Sequence, residues 1–272
     1  MRIENTDGDG AAEVTRPRFA RALFSAFDLI LAQDAASWTR LRDLGAKVTG
    51  ELDLKQAAAP LPHDPAELKQ LQGEIGGRAV VVAASTHPGE EDRILAAVRA
   101  LPPPHPLLVL APRHPDRGRD LAEKLRAQGR RLARRSVGER IGPDTEIYLA
   151  DTLGELGLIF RLARVVVMGG GFGEGVGGHN PLEPARLGLP TVTGPDVANF
   201  RETYAGLIKA HAAVMAPDQA GLEFALADLL AHPERAAAMG ARARAHAEQR
   251  HDAAKAGVAA LAPLLPAVKV PL

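Results

Sequence analysis

The sequence contains no cysteine, so disulfide bonds and thiolate chemistry are both excluded. Aromatic residues make up only 4% of the chain. The 33 basic residues balance 33 acidic ones, and this zero net charge gives no reason to expect nucleic-acid binding. No apolar run approaches the roughly 20 residues that a membrane-spanning helix needs. Together with a hydrophobic content of 46%, these absences indicate a soluble globular protein that suits a reducing compartment.

Several catalytic signatures are missing as well. There is no Gly-x-x-x-x-Gly-Lys-Ser/Thr loop, which disfavours a P-loop triphosphatase. No Gly-x-Ser-x-Gly elbow supplies a serine nucleophile. The stretches His87–Glu90 and His179–Glu183 do not form His-Glu-x-x-His, and no other pair of residues has zinc-ligand spacing, so we expect no metal site.

Apolar runs at residues 79–84, 107–110 and 165–167 are typical of strands that are buried on both faces. Helical patterns separate these runs, and shorter strands are predicted at 146–150, 191–195 and 213–215. Alternating strands and helices predict an α/β fold, namely a Rossmann-like parallel sheet with helices on both faces. We interpret the basic stretch 126–140 as a solvated helix end and an edge strand, with a phospholipid contact as the alternative.

Composition divides the chain into four segments. Residues 1–15 are polar and acidic, unlike a signal peptide, and are interpreted as a disordered leader. Residues 16–60 form a separate segment, with a strand predicted at 27–33 and a helix at 34–44, and they end in a proline-rich linker. The Rossmann-like domain is predicted over residues 61–265. Residues 266–272 are expected to be a loose tail.

The densest motif is the glycine-rich stretch Gly169–Gly178, which precedes Asn180-Pro181. Asn180 is predicted to cap a helix with Pro181 in its first turn. A strand, a glycine loop and a helix start in this order aim backbone N–H groups at a phosphate, since glycine allows close approach. Glu183, one turn into the helix, is expected to accept two ribose hydroxyls. The alternative is that the stretch is only a flexible surface connection.

Other polar motifs directly follow predicted strands, and they are expected to meet at the carboxyl edge of the sheet. These motifs are Ser85-Thr86-His87, Pro112-Arg113 and Asp151-Thr152. Arg113 lies between prolines and suits a phosphate or a base carbonyl, with surface solvation as the alternative. We interpret Glu90 and Glu91 mainly as carboxylates that favour a helix start. The Asp151-Thr152 pair has the alternative of being only a helix N-cap.

Five motifs in this order resemble the 3-deoxy-D-manno-octulosonic acid (Kdo) transferases. They are Ser85–Glu91, Pro112–Pro115, Asp151–Leu156, Gly178–Ala185 and Gly194–Phe200. The resemblance covers about Arg16 to Leu265. It implies one half of a two-domain GT-B glycosyltransferase that transfers Kdo with inversion from CMP-Kdo to a lipid A precursor. This reaction belongs to lipopolysaccharide core assembly, at the cytoplasmic side of the bacterial inner membrane.

The resemblance implies that the CMP part of the donor binds in the Rossmann-like domain. The implied site residues are Pro112, Arg113, Leu153, Gly154, Glu155, Gly178, Asn180, Pro181, Leu182 and Glu183. Residues 153–155 would lie along the base and ribose, and residues 180–183 would hold the phosphate and ribose. Thr86 and His87 are implied neighbours of the phosphate or the Kdo carboxylate.

Backbone amides around Gly178 and Asn180, together with Arg113, are expected to stabilise the departing CMP phosphate. Because CMP leaves as a monophosphate, we expect neither a metal nor another cofactor.

The sequence departs from the family pattern at several positions. We expect only the last elements of the family's N-terminal domain, within residues 16–60, so the general base and the acceptor site would lie outside this chain. Asp53 stands where the family has a lysine, and Lys55 is a possible substitute that assists the transition state. Leu153 replaces a common methionine and Asp196 a common histidine.

We therefore expect CMP-Kdo binding without independent catalysis. The lipid A precursor would bind through the absent domain, or a separate chain would supply that domain. The alternatives are a non-catalytic nucleotide-binding module, a truncated paralogue and an NAD-dependent dehydrogenase. The last is disfavoured because its Gly-x-Gly-x-x-Gly fingerprint should follow the first strand, whereas the glycines here lie late in the domain.

Overall fold

The computed structural model describes residues 19–53, 58–173 and 175–259. Contacts divide the chain into a larger unit, Ala59–Glu248, and a smaller unit made of the described parts of Met1–Ala58 and Gln249–Leu272. The predicted leader, the predicted tail and Lys55 lie outside the described residues. The predicted domain, residues 61–265, contains nearly all of the larger unit, and its outer limit stays a prediction.

The larger unit is built on one parallel sheet. Its seven described strands are β1 (Val80–Thr86), β2 (Leu107–Pro112), β3 (Leu132–Arg134), β4 (Ile147–Leu149), β5 (Val165–Met168), β6 (Thr191–Thr193) and β7 (Ala213–Met215). They lie in the order β3-β4-β2-β1-β5-β6-β7. The predicted parallel α/β sheet is therefore confirmed, and β3 lies at an edge, as predicted for the basic stretch.

Helices connect the strands. They are α1 (Pro65–Ile75), α2 (Glu90–Arg99), α3 (Gly118–Ala127), α4 (Leu156–Phe160), α5 (Leu182–Arg186), α6 (Arg201–Lys209), α7 (Gln219–Ala231) and α8 (Pro233–Ala259). The start of α1 shows why the sequence turns helical there. The carboxylate of Asp64 accepts hydrogen bonds from the amides of Ala66 (2.8 Å) and Glu67 (3.3 Å), and Pro65 occupies the first helical position.

The core lies in two layers on either side of the sheet. Alternate residues of β1 face opposite layers because side chains in a strand alternate. Val81 packs with residues of α2, α3 and α7, including Ile94 and Leu226. Val82 packs with residues of α1 and α4, including Leu71 and Phe160. Helices thus cover both faces, as the continuous apolar strands predicted.

Strand order reverses between β1 and β5. From β1 the chain continues to β2 on one side, whereas β5 lies on the other side. In open parallel sheets this reversal opens a crevice beyond the carboxyl ends of the two strands, where ligands bind. The loop that follows β1 and the glycine loop that follows β5 meet at this crevice.

The smaller unit contains a short parallel pair of strands, Leu31–Ala32 and Gly50–Glu51, and a helix at Ala35–Asp43. The helix begins after Asp34, whose carboxylate accepts the amide hydrogen of Ser37 at 2.6 Å. The strand predicted at 27–33 is wrong in length, because only its last part pairs with a neighbour. Within the described residues, no helix is long and apolar enough to cross a membrane.

Candidate functional site

Glu90 fastens together the two loops at the crevice. It is 3% exposed, and its carboxylate accepts the amide hydrogens of His87 (2.9 Å), Gly170 (2.8 Å) and Phe172 (2.9 Å). The adjacent Glu91 accepts hydrogen bonds from the Thr86 hydroxyl and the Arg117 guanidinium, both at 3.0 Å. The interpretation of these acids as mere helix-start carboxylates is therefore wrong. The hydrogen bonds of Glu90 join the loop after β1 to the glycine loop, and those of Glu91 join the end of β1 to Arg117, the residue before α3.

The glycine loop is closed by its own backbone. The amide of Gly178 donates to the carbonyl of Gly170 at 2.8 Å, and the amide of Gly177 donates to the Asp196 carboxylate at 3.0 Å. At Gly169 an added Cβ would lie 2.4 Å from the carbonyl oxygen of Ser85, so only glycine fits. In its described part, the loop is thus a packed turn, and the alternative of a flexible surface connection is wrong.

This closure corrects one sequence expectation. The Gly178 amide was expected to bind a phosphate, but it is already used within the loop. The Asn180 amide, by contrast, donates to no other described residue. Asn180 itself is half-buried. In the observed conformation, the Asn180 amide is therefore available to donate to an anion at this end of the loop.

Asn180 and Glu183 lie at the start of α5. The side-chain oxygen of Asn180 accepts the amide hydrogen of Leu182 at 3.1 Å, and its side-chain nitrogen lies 3.5 Å from a Glu183 carboxylate oxygen. Pro181 occupies the cap position, before the helix and not in its first turn as predicted. Because α5 has only five residues, few peptide dipoles add up at its start, and specific donors matter more than the helix dipole.

Burial raises the pKa of Glu183, while Asn180, Arg186 and Arg113 act in the opposite direction. A half-buried carboxylate with this environment favours a ligand that donates hydrogen bonds to it, because such bonds replace lost solvation. Vicinal hydroxyl groups have this chemistry.

Arg113 is exposed and follows buried Pro112 at the end of β2. Its amide donates to the carbonyl of Thr86 at 3.0 Å, which holds the arginine beside the β1 loop. Its guanidinium forms no ion pair with any described residue. The charge is near enough to lower the pKa of both His179 and Glu183. The structure therefore brings Arg113 and the start of α5 to one place.

Three histidines line the same crevice. The Nε2 atoms of His87 and His179 are 2.8 Å apart, and their rings stack at 5.1 Å with an interplanar angle of 5°. His114 meets His87 edge-on at 6.0 Å. A bond between two Nε2 atoms requires one to carry hydrogen and the other to be bare. No group of three or more metal-ligating side chains in the described part of the chain could hold a metal ion.

Both members of the His87–His179 pair are neutral at pH 7. The pKa of His179 is lowered to about 4, mainly by burial and to a smaller extent by the nearby His87, Arg113 and His114. Burial also lowers the pKa of His87. The pair therefore supplies polar ring atoms, not cationic charge, under neutral conditions.

The segment after β4 is held by arginines. Buried Asp151 accepts hydrogen bonds from Arg134 (2.6 Å) and from both the amide (3.0 Å) and the hydroxyl (2.8 Å) of Ser136. It does not cap α4, whose N-cap residue is Glu155. The N-cap alternative for Asp151-Thr152 is therefore wrong.

Arg135 holds the next part of this segment. Its guanidinium donates to Glu155 through two nitrogens at 2.5 Å each, to Glu67 at 2.5 Å and to the Tyr148 hydroxyl at 3.1 Å. Arg135 lowers the pKa of Glu155, which also accepts the Thr152 hydroxyl. The Glu155 side chain is thus committed to the protein. Leu153, by contrast, is 82% exposed, and Gly154 has a φ of +79°, so this turn offers an apolar side chain and backbone to a ligand.

All the predicted polar motifs do lie at the carboxyl edge. His87, Arg113, Asn180 and Glu183 come together around the crevice. Residues 151–153 and 155 line an open depression, together with Pro115, Asp116, Arg134 and Ser136. The site residues that the sequence analysis missed are Glu90 as the loop clamp, His179 as the partner of His87, Asp196 as a loop acceptor and Arg135 as the clamp of Glu155. The sequence carried no specific signal for these roles, because the partners of each residue lie far away along the chain.

No protein-family model matches the chain. The chain is 37% identical over 235 residues to the 3-deoxy-D-manno-octulosonic acid transferase of Bordetella pertussis, an alignment that covers 83% of this chain and 54% of the relative. The Haemophilus influenzae transferase of the same name is 35% identical, with 70% of this chain and 45% of the relative covered. The chain thus spans about half the length of the curated relatives it matches.

A crystal structure of the C-terminal CMP-Kdo binding domain of WaaA from Acinetobacter baumannii is similar to this chain. It has 34% sequence identity and a TM-score of 0.62, and the alignment covers 66% of this chain and 96% of that domain. Sucrose-phosphate synthase from Thermosynechococcus elongatus, at 16% identity and a TM-score of 0.55, shares the fold.

Proposed function

The chain belongs to the Kdo transferase family, and from this premise we propose that its larger unit binds the sugar nucleotide CMP-Kdo. Its fold is that of one half of a GT-B glycosyltransferase. The proposed role is that of the donor-binding half in transfer of Kdo to a lipid A precursor, within lipopolysaccharide core biosynthesis.

The observation that carries the proposal is the Arg113 guanidinium beside the start of α5, which forms no ion pair with any described residue. A guanidinium in this position suits a phosphate, because its planar fork can donate two parallel hydrogen bonds to an oxyanion. The Asn180 amide is the second proposed donor to the same phosphate. Together they would stabilise the charge that develops on CMP as it leaves.

The remaining parts of the nucleotide are assigned by chemistry. Glu183 is proposed to accept the two ribose hydroxyls, supported by its half-buried carboxylate next to Asn180. Leu153 and Gly154 are proposed to contact the base through an exposed side chain and free backbone. Arg135 would then act indirectly, since it holds Glu155 and therefore the turn before it.

The proposed reaction forms a bond between an acceptor hydroxyl oxygen and the anomeric carbon of Kdo. The bond between that carbon and the CMP phosphate oxygen breaks, and CMP departs as a monophosphate. The acceptor proton passes to a general base, which we expect in the N-terminal half of the family. Lys55, the proposed assistant to this step, lies outside the described residues, so no geometry supports it here.

Thr86 and His87 have less support as ligand neighbours. The Thr86 hydroxyl donates to Glu91, and His87 is neutral and bonded to His179. We retain them as neighbours of the Kdo carboxylate or the phosphate, in roles that use ring or backbone atoms. Contact with the lipid A precursor and the inner membrane is proposed for the family's other half or for a separate chain that carries it.

Titration calorimetry with CMP, CMP-Kdo and NAD tests the proposal. We expect CMP and CMP-Kdo to bind and NAD not to bind. Arg113→Ala should weaken CMP binding by about 2 kcal/mol, or roughly thirtyfold, because a charged hydrogen bond is lost. Glu183→Ala should weaken CMP and cytidine alike, because both carry the ribose.

Arg164→Ala is the matched control, because Arg164 is an exposed arginine just before β5, at the opposite end of the strand from the site, and it forms no ion pair with any described residue. Its CMP affinity should equal that of the wild type. NAD binding without CMP binding would instead support the dehydrogenase alternative. CMP binding with no Kdo transfer, even after the family's other half is added, would support a non-catalytic nucleotide-binding module.

A further inference from the structure

Tyr204 lies beneath the end of the glycine loop. It belongs to α6 and is fully buried, with a relative exposure of 0%. Its phenol hydroxyl donates a hydrogen bond to the backbone carbonyl of His179 at 3.1 Å. This is a contact between α6 and the peptide that joins His179 to Asn180.

Because the His179–Asn180 peptide is rigid, the hydrogen bond to its carbonyl also fixes the direction of its N–H group. The cis bond in the described residues is Pro103-Pro104, and the His179–Asn180 bond is trans. In a trans peptide the N–H group points opposite to the C=O group. Since the carbonyl of His179 points down to a buried phenol, the N–H of Asn180 points up and away from the core.

Three neighbouring amides are committed elsewhere. Gly177 donates to Asp196, Gly178 donates to Gly170, and Leu182 donates to the Asn180 side chain. Within the described chain, the Asn180 amide donates to no other residue. A half-buried N–H without a partner is costly unless water or a ligand accepts from it.

The phenol keeps its proton at any pH at which the protein works. Burial raises the pKa of Tyr204 far above its ordinary value, and the nearby Thr193 hydroxyl offsets only part of the shift. The hydroxyl is therefore always available as a donor to the His179 carbonyl.

We propose that Tyr204 is a positioning residue that aims the Asn180 N–H at the phosphate of the nucleotide donor. This inference rests on the proposed function, and it adds a residue outside the five sequence motifs. Tyr204 touches no part of the ligand. It acts through one peptide group, by fixing the direction in which that group donates.

Tyr204→Phe tests the proposal, because it removes the hydroxyl and keeps the ring. Affinities for CMP and for cytidine are measured by calorimetry on wild type and variant. We expect CMP to bind about tenfold more weakly and cytidine to bind unchanged, since only CMP carries the phosphate. Equal CMP affinity in the two proteins would overturn the proposal, and so would an equal loss for both ligands.

Tyr148→Phe is the control for the loss of a tyrosine hydroxyl. Its hydroxyl accepts a hydrogen bond from Arg135, which holds the turn proposed to contact the base. Any change in affinity should therefore be the same for CMP and cytidine, since both carry the base. A selective loss of CMP affinity in this control would count against the specific role of Tyr204.

An NMR measurement on the wild type keeps the proposal testable even if Tyr204→Phe does not fold. Addition of CMP should shift the Asn180 amide proton downfield and slow its exchange with solvent, whereas cytidine should do neither. An Asn180 amide that is indifferent to CMP, in a protein that does bind CMP, would overturn the inference alone. A wild type that does not bind CMP would overturn the proposed function instead.

Discussion

His179 is the residue whose protonation state the fold alters most clearly in the crevice. Its ring is half-buried against His87 and close to Arg113, and its pKa falls to about 4 from an ordinary value of 6.5. The Nε2 contact with His87 requires at least one of the two rings to be neutral, because one Nε2 must accept the hydrogen bond. Folding therefore favours the neutral form over the cationic one.

This shift predicts how stability depends on pH. Between pH 6.5 and pH 4 the unfolded chain binds a proton at His179 that the folded chain does not bind, so unfolding becomes more favourable as the pH falls through this window. Because the ring is only half-buried, we expect a loss on the order of 1 kcal/mol from this residue. Urea unfolding at pH 7 and pH 5 measures it.

His179→Gln is the comparison protein for that experiment. The variant cannot take up the proton, so its loss of stability between pH 7 and pH 5 should be smaller than that of the wild type. An identical pH dependence in the two proteins would show that the His87–His179 contact does not control the titration.

At the scale of elements, the structure depends on one carboxylate that joins two loops. Glu90 begins α2, and it accepts amides from the loop after β1 and from the loop after β5. Both of its oxygens are used and the side chain is buried. The carboxylate thus holds the crevice in the shape that brings Arg113 to Asn180.

Glu90→Gln should lower the free energy of unfolding by about 2–4 kcal/mol. The substitution places an NH₂ group where an oxygen accepts amide hydrogens, so at least one buried donor loses its acceptor. Asp92→Asn is the control on the same helix, because Asp92 pairs with Lys124 at the surface and the change should cost less than about 0.5 kcal/mol. Equal effects of the two substitutions, measured by denaturant unfolding, would contradict the assigned role.

The central strands could be predicted from the sequence, whereas the contacts of Glu90 could not. The central strands β1, β2 and β5 were predictable because an apolar run buried on both faces has a one-dimensional signature. Glu90 had no such signature, because an acid at the start of a helix is common simply for its favourable interaction with the helix dipole. Its partners Gly170 and Phe172 also lie 80 and 82 residues away along the chain. The amide of Gly178 was misjudged because its acceptor depends on how the loop folds back on itself.

For the whole molecule, the parallel sheet accounts for why separate motifs form one site. Every motif of the predicted site follows a strand, and all seven described strands are parallel, so their carboxyl ends share an edge. The family resemblance predicted the site residues, and the strand order explains why they lie close together. The opposite edge also holds a cavity, lined in part by Arg78, Arg99 and Arg130, which is a competing place for an anion.

The central claim is that the cytidylate part of the donor binds at the carboxyl edge, between Arg113 and Asn180. A crystal structure of the wild-type chain with CMP tests it most directly. We expect phosphate oxygens within about 3 Å of the Arg113 guanidinium and of the Asn180 amide, with the ribose hydroxyls at Glu183. CMP seated at the opposite edge of the sheet, or bound without contact to either Arg113 or Asn180, would contradict it.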